Sequence, residues 1–464
     1  MAGRWDAKRC CPLIEGGAAP RGMGFVRAAR GTSGCKVQQT LQPRARVPPM
    51  HETPLTALVL SGGGARAAYQ VGVLRALSRI RRSALGPMAR MRNPFGVICG
   101  TSAGAINASA LACHADRFEA AVEVIAQVWQ HFHADQVYRA DSLGVIRSGA
   151  QWLSMLSMGW AIARWRRARP RSLLDNSPLA ELLQRLVPLE RLPGMLQQGH
   201  LQALAVSASS YSSGEHFTFY DAARPVEPWQ RSQRVAVPGR LTLAHLLASS
   251  AIPFVFPATR IESASEGGWF GDGSMRQTAP LSPAIHLGAQ RLFIVGVGRT
   301  QQPGGRSHSD EAYPNLAQIA GHAMSSIFLD ALAVDIERLR RVNRTLALLP
   351  ESALADTNLR PLETLVISPS KRLDDIAARH LGDLPAPVRG LLRGVGVGGS
   401  GAQARGSALA SYLLFEAPYT QELMALGEAD THARRDEVLR FFAWDTAAGR
   451  RRVDGKAGLD IVLP

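Results

Sequence analysis

One serine stands between glycines in Gly100-Thr101-Ser102-Ala103-Gly104, where a short apolar run (Val97, Ile98, Cys99) gives way to an alanine-rich segment. Strand, sharp turn and helix in that order make a nucleophile elbow. Gly100 and Gly104 let the flanking chains close up, and the Ser102 hydroxyl stands at a helix N-terminus that favours developing negative charge. With 44 glycines in 464 residues, such a pentapeptide also arises by chance as a plain small-residue turn. Two other stretches argue against chance. Gly62, Gly63 and Gly64 follow the apolar run 55–60 and precede a helical pattern at 67–80. Consecutive glycine N–H groups there can converge on an anion. No Gly-Lys-Ser/Thr follows, which excludes a P-loop, and no acid lies between Glu52 and Asp116, which excludes a dinucleotide fold. The remaining customer is the oxyanion of an acyl transfer. The third stretch, Trp269-Phe-Gly-Asp-Gly-Ser274, puts Asp272 beside Gly273 where a strand meets a loop, although Asp-Gly alone is only a turn signal.

Strand, helix, strand, helix is the grammar of a doubly wound α/β fold, whose active groups gather at the carboxyl ends of the strands. Both the glycine run and Ser102 fall at such ends. The pattern is mostly helical from Phe118 to Leu186. Strands follow at 201–207 and 216–220, a helix at 241–250 and a buried strand at 292–298. Residues 301–312 are a polar linker, and beyond them lie a helix at 316–345, a strand at 364–367, a glycine-rich stretch at 394–407 and a last helical segment. Three segments are expected: a disordered basic tail over 1–50, a catalytic domain over 54–300, and a mainly helical extension over 301–464 packed on it.

The chain carries a net charge of +16 with a pI near 10.5. Its basic residues are nearly all arginine, and the charge favours an anionic partner. With no zinc pattern and no basic-aromatic sheet signature, nucleic acid is excluded in favour of an anionic phospholipid surface. Trp152, Met155, Met158, Trp160 and Trp165 beside Arg164, Arg166, Arg167, Arg169 and Arg171 suit an interfacial helix on such a surface, or equally a core face backed by solvated arginines. Five cysteines without metal spacing fit a reducing compartment. No export signal and no uninterrupted apolar stretch of about 18 residues are present, so the expectation is a cytoplasmic protein, peripheral at the inner membrane surface.

Gly62-Gly-Gly-Ala-Arg66, Gly100-Thr-Ser-Ala-Gly104, Ala248-Ser-Ser-Ala-Ile-Pro-Phe254 and Asp272-Gly273 resemble, in order and spacing, the blocks of the patatin-like phospholipases. The likeness spans roughly residues 55–300. The helix with Asp330 and Asp335 and the run Ser411-Tyr-Leu-Leu-Phe415 look like the tail of bacterial members. The resemblance implies a three-layer α/β sandwich: a mostly parallel central sheet with helices on both faces, extended by the helical C-terminal part. It also implies a Ser-Asp dyad. Ser102 attacks the ester carbonyl of a phospholipid or other acyl ester, and Asp272 takes the proton and returns it to the leaving alcohol. Gly62, Gly63, Gly64 and Arg66 line the oxyanion hole, chiefly through backbone N–H groups, with no metal and no cofactor. Two positions depart from the family pattern, Ala67 and Ser274 standing where it often has glycine. The Ser274 hydroxyl is placed to bond the carboxylate and lower its pKa.

Two other readings compete. One is a Ser-His-acid esterase of the α/β-hydrolase type, with His245 or His286 as the base. His245 lies within an apolar helix, where a satisfied core role is the simpler account. The other is a non-catalytic lipid-binding protein on the same fold.

Overall fold

The computed structural model describes residues 54–86, 93–139, 172–262, 267–298, 313–357, 359–399 and 405–445. The basic tail over 1–50, the Trp/Met/Arg cluster over 152–171 and the polar linker over 301–312 lie outside them. The first strand, β1 (Thr56–Leu60), is buried along its whole length. A continuous apolar run of that kind belongs at the centre of a parallel sheet covered on both faces. It leads through a tight 3-10 turn, Gly64–Ala67, into α1 (Ala68–Leu85), and then come β2 (Val97–Thr101), α2 (Ala103–Ala112) and α3 (Phe118–Gln130). Next come α4 (Ser177–Leu186), β3 (Ala203–Ser210), β4 (His216–Ala222), β5 (Gln230–Arg231), β6 (Arg234–Pro238) and α5 (Leu243–Ser249). After them run β7 (Thr259–Ile261), β8 (Gly268–Asp272) and β9 (Arg291–Val295).

The ten strands of the described residues, the last being β10 (Glu363–Ile367), form one sheet in the order β10-β9-β1-β2-β3-β4-β6-β5, with β8 on β3 and β7 on β8. From β10 to β3 every pairing is parallel. Alternate residues of the same strands feed two cores. Leu58, Leu60, Ile98, Leu204 and Val206 face α1, α2 and α3, whereas Ala57, Val59, Val97, Cys99 and Ala205 face the layer holding Leu281, Ile336 and Leu339. The fold is therefore mixed α/β with a central, mostly parallel sheet between helical layers.

Beyond residue 300 come α6 (Leu316–Ser325), a π turn at Ser326–Asp330, α7 (Ala331–Leu346), β10 (Glu363–Ile367), α8 (Leu373–His380) and α9 (Ala417–Ala433). The strand in this segment is not a separate element. β10 pairs in register with β9, Ile367 opposite Val295, so the sheet runs through the boundary expected at 300. Helix α9 crosses α1 at backbone contact: a Cβ on Gly72 would lie 2.0 Å from the Met424 carbonyl oxygen, and one on Gly427 would lie 2.3 Å from that of Tyr69. Among the described residues, one helical run, Leu316–Leu346, is long and apolar enough by length and composition to cross a membrane, and a third of its apolar window is buried. It packs Phe328, Leu332, Ile336 and Leu339 inward.

Candidate active site

Register places the two candidate groups. β4 covers one edge of β3 from Ala203 to Ser209, while the other edge is shared by two strands. β2 pairs as far as Thr101 opposite Ser207, and β8 takes over at once with Asp272 opposite Ala208. The residue that follows Thr101 thus arrives beside Asp272. The Ser102 hydroxyl donates to Asp272 Oδ2 at 2.5 Å, and both residues are essentially without solvent exposure.

Each group is held by its turn. Ser102 has φ 55° and ψ −132°, a strained conformation for a residue with a side chain. Its N–H donates to the Ser249 hydroxyl at 2.9 Å, which ties the elbow to the end of α5. Tight packing makes glycine necessary on both sides: a Cβ would lie 2.5 Å from the Gly104 carbonyl oxygen at position 100, and 2.5 Å from that of Ser61 at position 104. A Cβ on Gly273 would meet the Ser207 carbonyl oxygen at 2.3 Å, so glycine there lets the acid turn nest on β3. The Ser274 N–H donates to Asp272 Oδ1 at 2.9 Å, and the Asp272 N–H donates to the Ala251 carbonyl.

Burial away from water pushes the Asp272 carboxyl up to about 6, although hydrogen bonds from Ser102 and Ser274 pull the other way. The Ser274 hydroxyl is close enough to support the charge but makes no aligned hydrogen bond. It is the Ser274 amide that bonds the carboxylate.

The glycine run faces this pair. A Cβ on Gly62 would lie 3.1 Å from Ser102 Cβ, and Gly64, with φ 54°, lines the groove that ends at Ser102. The amides of Gly62, Gly63 and Gly64 have no acceptor among the described residues. Arg66 differs from the expectation. Its N–H donates to the Gly63 carbonyl at 3.1 Å, and its side chain is bonded to Ser411 and Asp374. Its amide is therefore unavailable to an oxyanion.

Neither expected histidine reaches the pair. His245 Nδ1 accepts from the Thr242 N–H at 3.1 Å and contacts its hydroxyl, capping α5, while His286 stacks on Trp229 at 4.6 Å. Among the described residues no cluster of three or more metal-binding side chains occurs.

From Ser102 a groove runs along α2, past Ile106 and Ala110, between α3 and α4. It holds about 740 Å³ of space, part of it open to solvent. Its walls are Ile125, Val128, Phe132, Leu182 and Leu186 and their neighbours. The one amide in the wall, Asn107, is already paired with Trp129 Nε1 at 2.9 Å and Gln70 Oε1 at 3.2 Å. Its depth offers hydrocarbon contacts and no free polar anchor.

An apolar groove for a chain, ending at a hydroxyl bonded to a buried carboxylate, describes an enzyme that opens lipid esters. Residues 58–285 match the patatin-like phospholipase family, so the chain carries a patatin-like phospholipase domain. No curated protein sequence matches the chain. Several solved structures show likeness, among them the following three. VipD from Legionella pneumophila is 13% identical with a TM-score of 0.28, over 80% of this chain and 67% of that one. Human GIVD cytosolic phospholipase A2 is 14% identical with a TM-score of 0.36, over 86% of this chain and 60% of its own length. ExoU of Pseudomonas aeruginosa is 16% identical with a TM-score of 0.24, over 84% and 88%.

Proposed function

We propose that the chain is a serine acyl hydrolase acting on glycerolipid esters, with Ser102 as nucleophile and Asp272 as its base. The contact between Ser102 Oγ and Asp272 Oδ2 carries the reading. As Ser102 Oγ attacks the acyl carbonyl, its proton passes to Asp272. The oxyanion is met by the amides of Gly62, Gly63 and Gly64. Collapse expels the alcohol, which takes the proton from Asp272, and the acyl group remains on Ser102. Asp272 then deprotonates the water that attacks the acyl-enzyme and returns that proton to Ser102 Oγ as the fatty acid leaves. A carboxyl near 6 suits both tasks, being ionised at neutral pH yet basic enough to accept a proton. The apolar groove holds the acyl chain and leaves the headgroup outside. The net charge of +16 supports contact with an anionic lipid surface, which supplies the substrate.

Hydrolysis of a short p-nitrophenyl ester by wild type, Ser102→Ala, Asp272→Asn, His245→Ala and His286→Ala tests the assignment. Loss in the first two variants alone supports the dyad, and activity surviving Ser102→Ala sinks it. Activity lost in a histidine variant would favour the triad reading.

A further inference from the structure

The glycine loop beside Ser102 is gripped by residues from outside the matched domain. The Ala65 N–H donates to the Tyr412 carbonyl at 3.1 Å. Arg66, only 2% exposed, donates from Nε to the Ser411 hydroxyl at 2.8 Å, and its terminal nitrogen bonds Asp374 and the Ala408 carbonyl. Its guanidinium lies over the Tyr412 ring, 4.0 Å from the centroid. A Cβ on Gly64 would lie 2.3 Å from the Tyr412 carbonyl oxygen, so the two backbones touch. The Tyr412 ring packs on Phe328 at 5.0 Å between centroids, and Phe328 backs Gly62.

We propose that Asp374 and Ser411 are positioning residues that act through Arg66 to aim the amides of Gly62, Gly63 and Gly64 at the reacting oxygen. The inference rests on the acyl-hydrolase reading and deepens it, because it makes the C-terminal segment a working part of the site. Three successive glycines have wide backbone freedom, and an oxyanion donor loses its effect when displaced by about an ångström. A planar guanidinium fixed at several points is a directional restraint that a lysine could not supply. It anchors the loop immediately after the glycines, while the Tyr412 carbonyl holds the adjoining amide. The donors meet full charge only in the transition state, so loosening them lowers kcat and leaves KM unchanged.

The test compares Asp374→Asn, Ser411→Ala and Asp374→Glu with wild type and Ser102→Ala in the full chain. It uses a short p-nitrophenyl ester at a temperature where circular dichroism shows every variant folded. Each of the first two variants is expected to lose about 10- to 100-fold in kcat at constant KM, with partial recovery in Asp374→Glu. Labelling of Ser102 by a fluorophosphonate should slow in parallel, because the phosphonyl oxygen takes the oxyanion's place. Wild-type kcat in folded Asp374→Asn and Ser411→Ala overturns the proposal, including the case in which only their melting temperatures fall. Activity retained by Ser102→Ala would instead refute the underlying reading of the nucleophile.

Discussion

Ser102 and Asp272, separated by 170 residues in sequence, meet because β2 and β8 occupy the same edge of β3 one after the other. The contact is buried, and burial lifts the carboxyl to about 6. Because the base must be ionised, kcat/KM should rise with pH through a limb near 6 and then level off. A limb near 4 would mean that water reaches the carboxylate in solution. A pH–rate profile on a non-ionising ester decides between them.

The same carboxyl makes stability depend on pH. Its folded value lies above the ordinary 3.8 of the unfolded chain, so the folded state holds the proton more tightly. The contribution of this one group to stability is fully present below about 4, falls as pH rises toward 6, and is lost above, a difference of about 3 kcal/mol for a shift of this size. Asp272→Asn never ionises and escapes that cost. It should therefore melt a few degrees above wild type at pH 8 while being inactive, with the gap closing near pH 4. Equal melting curves at pH 8 would count against a buried charge.

Much of the site was legible because its residues carry local signals. The glycines at 64, 100, 104 and 273 lie where another backbone approaches too closely for a Cβ, those at 62 and 63 lie where side chains do, and a strand-to-turn change in pattern marks each place. What escaped depends on distant partners. Arg66 reads as part of the oxyanion loop from its place in the motif, yet its direction is set by Asp374 and Ser411, more than 300 residues away. Ser249 was visible only as one of two adjacent serines in a small-residue run, and nothing local says that its hydroxyl holds the Ser102 amide. His245 sits within three residues of Thr242, a cap spacing that could have removed it as a catalytic candidate. The strand at 364–367 was readable as a strand, but joining the sheet beside β9 is a fact of topology that periodicity does not carry.

Helices α1 and α9 provide a test of how firmly the C-terminal segment is joined to the rest. At Gly72 a methyl group would fall 2.0 Å from the Met424 carbonyl oxygen, a backbone atom that no rotamer change can move aside. Gly72→Ala must push α9 outward, although alanine favours the helix itself. Overpacking of this kind costs about 1–3 kcal/mol, so the urea midpoint should fall despite the better propensity. An unchanged or higher midpoint would show that the helices can separate freely. Gly194→Ala, within the helical turn Leu192–Gln197 and with nothing within 4 Å of the new methyl, is the control and should keep or slightly raise the midpoint, because only the propensity gain applies there.

Ala110 sits on the groove-facing side of α2, two turns beyond Ser102 and about 12 Å along the helix axis. It lines the same groove as Val124 and Leu186, and phenylalanine at this position would take up groove space two turns from Ser102 while leaving Ser102 and Asp272 in place. Each methylene kept out of the groove forfeits about 0.8 kcal/mol, roughly fourfold in kcat/KM. Ala110→Phe should therefore hydrolyse p-nitrophenyl butyrate like wild type and fall progressively behind as the acyl chain lengthens toward palmitate. A uniform loss across the series would mean that the substitution disturbs the elbow. An unchanged profile would mean that long chains leave Ser102 by another route, and the groove along α2 would then not be the acyl site.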